Sequence, residues 1–532
     1  MVGAAAGGPR DGRSFISGVD RLPLLTETVG EHLLRRAEVA PDLPALMWAA
    51  ADGPQQLTWS QLAQRARRGA AGLLDINPPR RRVALVGFNS VDWIVAMYAC
   101  AVAGMPVVPI HPNATDEEVR HFLTLADVDV ALCARDSGSL DRFAELGRPL
   151  VRDMASIDAE NPADLAPIAP EHEFLIQFTS GTTGLPKAAS LSHRAALNCG
   201  LLYGRACGGA EGDRWLNPLP LNHVGGSISG VITTLAFGGV YTVVERFTPQ
   251  ALIDAIRQVG PTWLGLVPTM LMDLLEMPGV EESDFATVRT IAGGAASVDP
   301  NLIAAVEQRL GVTVMVAYGQ SEAPNMASSS PDDSAHVRTR TLGRPLAGRD
   351  FAIRGSDGAI VPIGEVGELC VRGPLTMTGY LRPDGGIDPA VDTEGWRPTG
   401  DLCTMDDEGV LTFCGRIREV IIRGGLNVYP AEVERAVSSH ESVSEIAVFG
   451  VSDERLGERP VAAVLPAAEG DVNIDELVGT AAARLSSYKR PTEWIVVASL
   501  PRTSTGKVRK HLLREWYEAG TLTDNCGGRR PD

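Results

Sequence analysis

From Arg82 onward, short β-branched and aliphatic runs alternate with helix-length amphipathic patterns. Residues 83–88, 107–110 and 128–133 read as strands, with a helix running through Cys100 and another over 117–125. This alternation predicts parallel sheets, because a parallel strand pair needs a crossover long enough to be a helix. The rhythm resumes with strands at 174–178, 241–245, 263–266, 289–292 and 312–317, and helices at 249–259 and 301–310. From about Thr341 it stops. Short strands at 351–353, 368–371 and 410–413, divided by Gly and Pro turns, predict a small antiparallel barrel or sheet. After Arg416, strands at 420–422, 446–451 and 461–465 and helices at 431–437, 474–485 and 508–517 make a compact α+β domain of about a hundred residues.

Residues 93–110 carry no charge over 18 positions, the lower limit of a membrane span. Gly104, Pro106 and Pro109 interrupt them, so a buried helix leading into a buried strand is expected and no integral membrane segment. The 532 residues carry 48 Lys and Arg against 66 Asp and Glu, a formal charge of −18. Such acidity excludes holding a nucleic acid or an anionic membrane by bulk charge, so any phosphate must be gripped locally. Eight cysteines without a Cys-x-x-Cys or a zinc-like spacing read as buried thiols, and residues 1–14 lack the apolar stretch of a secretory signal. A cytoplasmic chain is the expectation.

The local grip is found directly after the apolar run ending at Phe178, in Thr179-Ser180-Gly181-Thr182-Thr183-Gly184-Leu185-Pro186-Lys187. Glycines let backbone N–H groups turn toward an anion, hydroxyls add donors and the lysine adds charge, so the segment reads as a phosphate cradle. It lacks the Gly-Lys-Ser/Thr ending of the Walker form.

With this segment the chain resembles the adenylate-forming enzymes, which include acyl- and aryl-CoA ligases, luciferases and the adenylation domains of peptide synthetases, over nearly its whole length. The resemblance implies an α/β fold: a large N-terminal domain (1–415) of two β/α subdomains plus a small antiparallel barrel, then a small mobile α+β C-terminal domain (416–532). It implies that Thr179, Ser180, Gly181, Thr182, Thr183, Gly184 and Lys187 hold the ATP phosphates. Tyr318-Gly319-Gln320-Ser321-Glu322 is similar to the family's adenine-and-metal motif, with Glu322 on Mg²⁺ and Ser321 where Thr is usual. Asp401, in Trp396-Arg397-Pro398-Thr399-Gly400-Asp401, matches the aspartate that holds the ribose hydroxyls, and a carboxylate is a natural reader of a cis-diol. Arg416 matches a nucleotide contact, and Arg418 stands at the hinge where Asp or Lys is common. Gly424 and Gly425 match the loop that meets the pantetheine arm. Lys507, closing Pro501-Arg502-Thr503-Ser504-Thr505-Gly506-Lys507, matches the catalytic lysine.

His223, in Leu219-Pro220-Leu221-Asn222-His223-Val224-Gly225-Gly226, would alone read as a packed core histidine, yet its place matches a residue that lines the acyl pocket and gates the thiol route. Gly293, Gly294 and Ala295 match another wall of that pocket and the nucleotide site. His193, opening a helix after Ser192, reads as a capping-region residue, and Tyr488-Lys489 as a solvated loop preceding a strand. The reaction implied is activation of a carboxylic acid by ATP and Mg²⁺ to an acyl-adenylate, then transfer to coenzyme A, catalysed by Lys507, His223 and Glu322. The alternative is loading of the acyl group onto an acyl carrier protein. A homodimer is compatible with either. No Asp or Glu lies in 217–235, which predicts an uncharged acyl or aryl acid.

Overall fold

The computed structural model describes residues 9, 11–19, 22–76, 82–135, 138–146, 150–179, 186–294, 300–467, 472–502 and 507–526. Among these the charge-free run resolves as expected, into a helix Val91–Ala103 and a strand Val107–Ile110. Ser90 caps the helix by accepting from the Trp93 N–H, and Gly104 ends it in the left-handed conformation at φ +67°. The helix is apolar nearly all round because it is enclosed nearly all round. No helix among the described residues is long and apolar enough to cross a membrane.

Two large sheets and their helices form the bulk of the chain. One runs Ile387–Asp388, Gly379–Leu381, Lys187–Ser192, Glu173–Thr179, Val107–Ile110, Val83–Val86, Val130–Cys133, Leu150–Asp153, with its central strands parallel. The other runs Arg344–Pro345, Ala323–Ser328, Thr313–Gln320, Thr290–Gly294, Trp263–Leu266, Arg214–Leu216, Val240–Val243, Pro44–Trp48, Gln55–Thr58. Helices Val29–Val39, Trp59–Ile76, Val91–Ala103 and His193–Ala206 share one apolar core with both sheets. Separate clusters cover the outer faces, with helix Pro249–Val259 on one and Asp116–Leu125 on the other. Ligands in such folds gather at the carboxyl ends of parallel strands, and Glu173–Thr179, Thr290–Gly294 and Thr313–Gln320 all end toward the candidate site.

The expected antiparallel unit is a five-stranded sheet in the order Phe15–Ile16, Asp350–Arg354, Gly367–Arg372, Arg397–Met405, Leu411–Arg416. A last sheet joins Leu426–Val428, Ile421–Arg423, Gly457–Pro466 and Val443–Asp453, with Glu493–Val496 parallel to Gly457–Pro466. Within this unit Lys510 Nζ lies 2.7 Å from Glu434 Oε1 and 3.3 Å from Glu419 Oε2, tying helix Lys510–Glu518 to the turn Ile417–Glu419.

One local expectation is corrected. Tyr488-Lys489 is not a solvated loop: it lies in the 3₁₀ turn Ser487–Lys489, and Lys489 Nζ bonds both oxygens of Glu432 at 2.6 and 2.8 Å. His193 opens helix His193–Ala206 directly after its cap Ser192, as expected; it is buried and its Nδ1 accepts from the Val29 N–H at 3.2 Å. The strand Lys187–Ser192 and the helices Val29–Val39 and Trp59–Ile76 add to the elements that the sequence pattern predicts. All eight cysteines are free thiols, seven buried and Cys414 half-buried.

Candidate active site

Tyr318 and Gln320 lie at the end of strand Thr313–Gln320, where the register with Ala323–Ser328 slips by a bulge. Gly319 between them is held by sterics, since a Cβ there would stand 2.5 Å from the Asn325 backbone nitrogen. Both side chains converge on Asp401. Tyr318 Oη donates to Asp401 Oδ2 at 2.6 Å, and Gln320 Nε2 donates to the same oxygen and to Thr399 O, each at 2.8 Å. The Arg416 guanidinium faces Oδ1 at 3.2 Å, across a ladder in which Asp401 and Arg416 are direct partners. Burial and the Asp401 charge hold the Tyr318 phenol well above its ordinary pKa, so it stays a donor.

Tyr318, Gly319, Gln320, Asp401, Arg416 and Lys507 line one cavity of about 690 Å³. Enclosure there lowers the Lys507 pKa to about 8, with the cations of Arg416 and Arg418 adding to the effect and the carboxylates of Asp401 and Glu322 opposing it. The ammonium therefore holds its proton less tightly there than in solvent. His223 caps the short helix Val224–Gly226, and its pKa is lowered to about 4, first by burial and then by the Lys507 charge.

Glu322 follows the turn after Gln320. Its Oε1 accepts from Tyr380 Oη at 2.7 Å, and its backbone carbonyl accepts from the Met377 N–H at 2.7 Å. The Lys187 ammonium stands 5.0 Å from the centroid of the Tyr380 ring, and Lys187 pairs in register with Thr179 across the Glu173–Thr179 and Lys187–Ser192 strands. Tyr380 therefore links the end of the phosphate-cradle segment to the candidate metal carboxylate. Sequence reasoning missed it, because a single tyrosine after a glycine on a short strand carries no local signal. Arg397, buried behind it, donates to Met377 O at 2.9 Å and was likewise not singled out.

Gly293 and Gly294 end the strand Thr290–Gly294; a Cβ on Gly294 would stand 2.2 Å from Ala317 O. Ser321 sits in the turn before Glu322. Ser180, Gly181, Thr182, Thr183, Gly184 and Ala295 lie outside the described residues. Gly424 and Gly425 do not line the cavity. They form the exposed two-residue turn between Ile421–Arg423 and Leu426–Val428, with φ of +59° and +81°. That pair of positive angles is the geometry of a tight hairpin.

The AMP-binding enzyme family matches residues 33–381, and the AMP-binding enzyme C-terminal domain matches 432–507. The chain belongs to the AMP-binding, adenylate-forming family. It is 32% identical to the indoleacetate–CoA ligase of Aromatoleum aromaticum over 93% of this chain and 99% of that protein. It is 29% identical to the human mitochondrial medium-chain acyl-CoA ligase ACSF2 over 96% of this chain and 91% of that protein. Among solved structures, ATP-bound MatB from Rhodopseudomonas palustris superposes with a TM-score of 0.84 at 26% identity, covering 93% of this chain and all of that one. The chain is accordingly an AMP-forming acid–thiol ligase of this family: it activates a carboxylic acid as its adenylate and passes the acyl group to coenzyme A.

Proposed function

We propose that the acid is uncharged apart from its carboxylate, that the acceptor is free coenzyme A, and that the residues gathered around the cavity perform the adenylation half-reaction. The observation that carries the substrate class is the wall after Asn217. Residues 217–235 hold no Asp or Glu, and within them helix Val224–Gly226 and Ser227–Ile232 are largely buried among apolar neighbours. An α-ammonium placed there would be a desolvated cation without a counter-charge, which costs several kcal/mol. The indoleacetate and medium-chain acyl ligases that resemble the chain are named for acids of this neutral-bodied kind.

A carboxylate resists nucleophiles because resonance and its charge shield the carbonyl carbon. Attack of its oxygen on the α-phosphorus of ATP expels pyrophosphate and yields a mixed anhydride that a thiol can open. Charge gathers on the phosphorus-bound oxygens, where preplaced donors count most. In this reading Lys507 supplies the cation at the carboxylate and α-phosphate, Asp401 and Arg416 hold the ribose side, and Tyr318 lies against the base. Thr179, Lys187 and the residues between them take the other phosphates.

Glu322 offers a hard oxygen ligand, and no cluster of three or more metal-binding side chains occurs among the described residues. One carboxylate, with phosphates and water completing the shell, suits Mg²⁺. When bound, the ion neutralises phosphate charge.

We divide the chain at 415/416 and assign the second half-reaction to a rotated small domain, in which Lys507 leaves and the Gly424–Gly425 turn approaches the thiol. The test is a panel of free acids with ATP and Mg²⁺, read by pyrophosphate exchange, followed by coenzyme A or a phosphopantetheinylated carrier protein. Exchange with fatty or aryl acids and thioester on coenzyme A are expected. Exchange only with α-amino acids, or thioester only on the carrier, would overturn the proposal.

A further inference from the structure

One short segment grips Glu322 at two points. Its backbone carbonyl accepts from the Met377 N–H at 2.7 Å, and the Tyr380 hydroxyl, on the same segment, donates to its Oε1 at 2.7 Å. The segment is itself anchored. Arg397 donates to Met377 O at 2.9 Å, the Thr378 N–H donates to Ser190 O at 2.9 Å, and Tyr380 pairs in register with Ala189 of the Lys187–Ser192 strand. The Lys187 ammonium, 5.0 Å from the centroid of the Tyr380 ring, adds a cation–π attraction on the ring itself. A phenol held in this way holds the carboxylate in turn. No hydrogen bond or ion pair among the described residues reaches the other oxygen, Oε2.

We infer that Tyr380 is a positioning residue: it engages Oε1 of Glu322 and leaves Oε2 as the one oxygen offered to the metal, and so sets which cation the carboxylate prefers. The inference rests on the Mg²⁺ reading of Glu322 above and deepens it. The phenol hydrogen draws charge from Oε1, which makes the free oxygen the stronger donor. Mg²⁺ demands a compact, near-octahedral shell of single oxygens, whereas Ca²⁺ takes larger, looser shells and accepts a carboxylate through both oxygens at once. A carboxylate with one oxygen committed to a phenol suits the first ion and penalises the second. Without the hydroxyl, the Glu322 side chain can turn and present both oxygens, and the preference moves toward Ca²⁺. Partners that orient a metal ligand in this manner usually change metal affinity by about tenfold to a hundredfold.

The test uses the full-length protein with α,β-methylene ATP, which cannot be cleaved between its first two phosphorus atoms, so no turnover enters the readout. Mn²⁺ binding is followed by electron paramagnetic resonance, with Mg²⁺ and Ca²⁺ as competitors. Tyr380→Phe removes the hydroxyl and keeps the ring on which Lys187 rests. It is expected to weaken Mn²⁺ binding about tenfold and to make Ca²⁺ about tenfold more effective, relative to Mg²⁺, at displacing it. In a Glu322→Gln background the same substitution is expected to change neither quantity, because the carboxylate it orients is gone; a merely structural tyrosine would act alike in both backgrounds. Unchanged competition in Tyr380→Phe, or an equal effect with Glu322→Gln in place, would overturn the inference. Mn²⁺ binding that survives Glu322→Gln alone would instead bring down the metal reading of Glu322, and the inference with it.

Discussion

Tyr318 Oη donates a 2.6 Å hydrogen bond to Asp401 Oδ2, so the residue expected to stack on adenine is also tied to the residue expected to hold ribose. The phenol and the ring are separable. Tyr318→Phe should raise the ATP KM by no more than about fivefold, because a ribose hydroxyl or water can replace the lost donor. Tyr318→Ala should raise it tenfold or more, since base–aromatic stacking contributes about 1–3 kcal/mol. Equal losses in the two variants, measured by pyrophosphate exchange, would place the effect in the hydroxyl.

Lys507 reaches the cavity from the small C-terminal unit. Lys507→Ala should slow adenylate formation about a hundredfold to a thousandfold, the usual loss for one preplaced donor. Thioester formation from pre-made acyl-adenylate should be largely spared. Matching losses in both half-reactions would show that Lys507 does not leave the site between them.

The same residue sets a pH dependence. Its pKa is lowered to about 8 in the cleft from an ordinary 10.5, so the proton is held less tightly there than in solvent. Closure of the free enzyme therefore sheds a proton between about pH 8 and 10.5 and is favoured by rising pH in that window. The charged form that serves the reaction is lost in the same direction. kcat/KM for ATP in the exchange reaction should fall as pH passes 8, and Lys507→Arg, slower but always charged, should lack that limb. Persistence of the limb in the Arg variant would assign it to another group.

Gly425 sits at φ +81°, and a Cβ added there would have nothing within 4 Å, so a side chain meets strain rather than a clash. Left-handed backbone costs a non-glycine residue about 1–2 kcal/mol. Gly425→Leu should leave pyrophosphate exchange within about twofold yet reduce transfer to coenzyme A tenfold or more, because the bulk stands where the pantetheine arm is proposed to pass. Normal transfer would mean that the thiol enters elsewhere.

Lys510 bridges Glu434 and Glu419. Removing the ammonium leaves two carboxylates facing a partly enclosed gap, with the Lys510 side chain only 17% exposed. Lys510→Met should destabilise the small unit by about 2–3 kcal/mol, somewhat below the loss for fully buried pairs. Thermal unfolding of the full-length variant should show a lowered first transition, and Lys510→Arg should restore it.

The β/α rhythm was readable wherever strands are fully enclosed. Helix Pro249–Val259 and strand Trp263–Leu266 fall where the pattern placed them, because Pro at the first turn, Gly260 after the last and an unbroken apolar run are local signals. Strand Lys187–Ser192 was not readable. Its Ala and Ser residues have little preference for extended backbone, and it exists because Glu173–Thr179 pairs with it. At the site, motif residues such as Asp401 and Lys507 stood out by their neighbours in sequence. Tyr380 and Arg397 did not, since their place depends on strands brought together from distant parts of the chain. Lys489 was misjudged for the same reason, its partner Glu432 lying 57 residues away.

The facing positions of Asp401 and Arg416 end the last ladder before the chain turns through Ile417–Glu419 into the small unit. A nucleotide gripped there is thus in mechanical register with the pivot. Linkage makes such an arrangement reciprocal: if nucleotide binding biases the orientation of the small unit by some factor, any constraint on that orientation must alter nucleotide affinity by the same factor. A crosslink that immobilises the pivot would then serve as a dial on ATP binding without touching a single residue of the cavity.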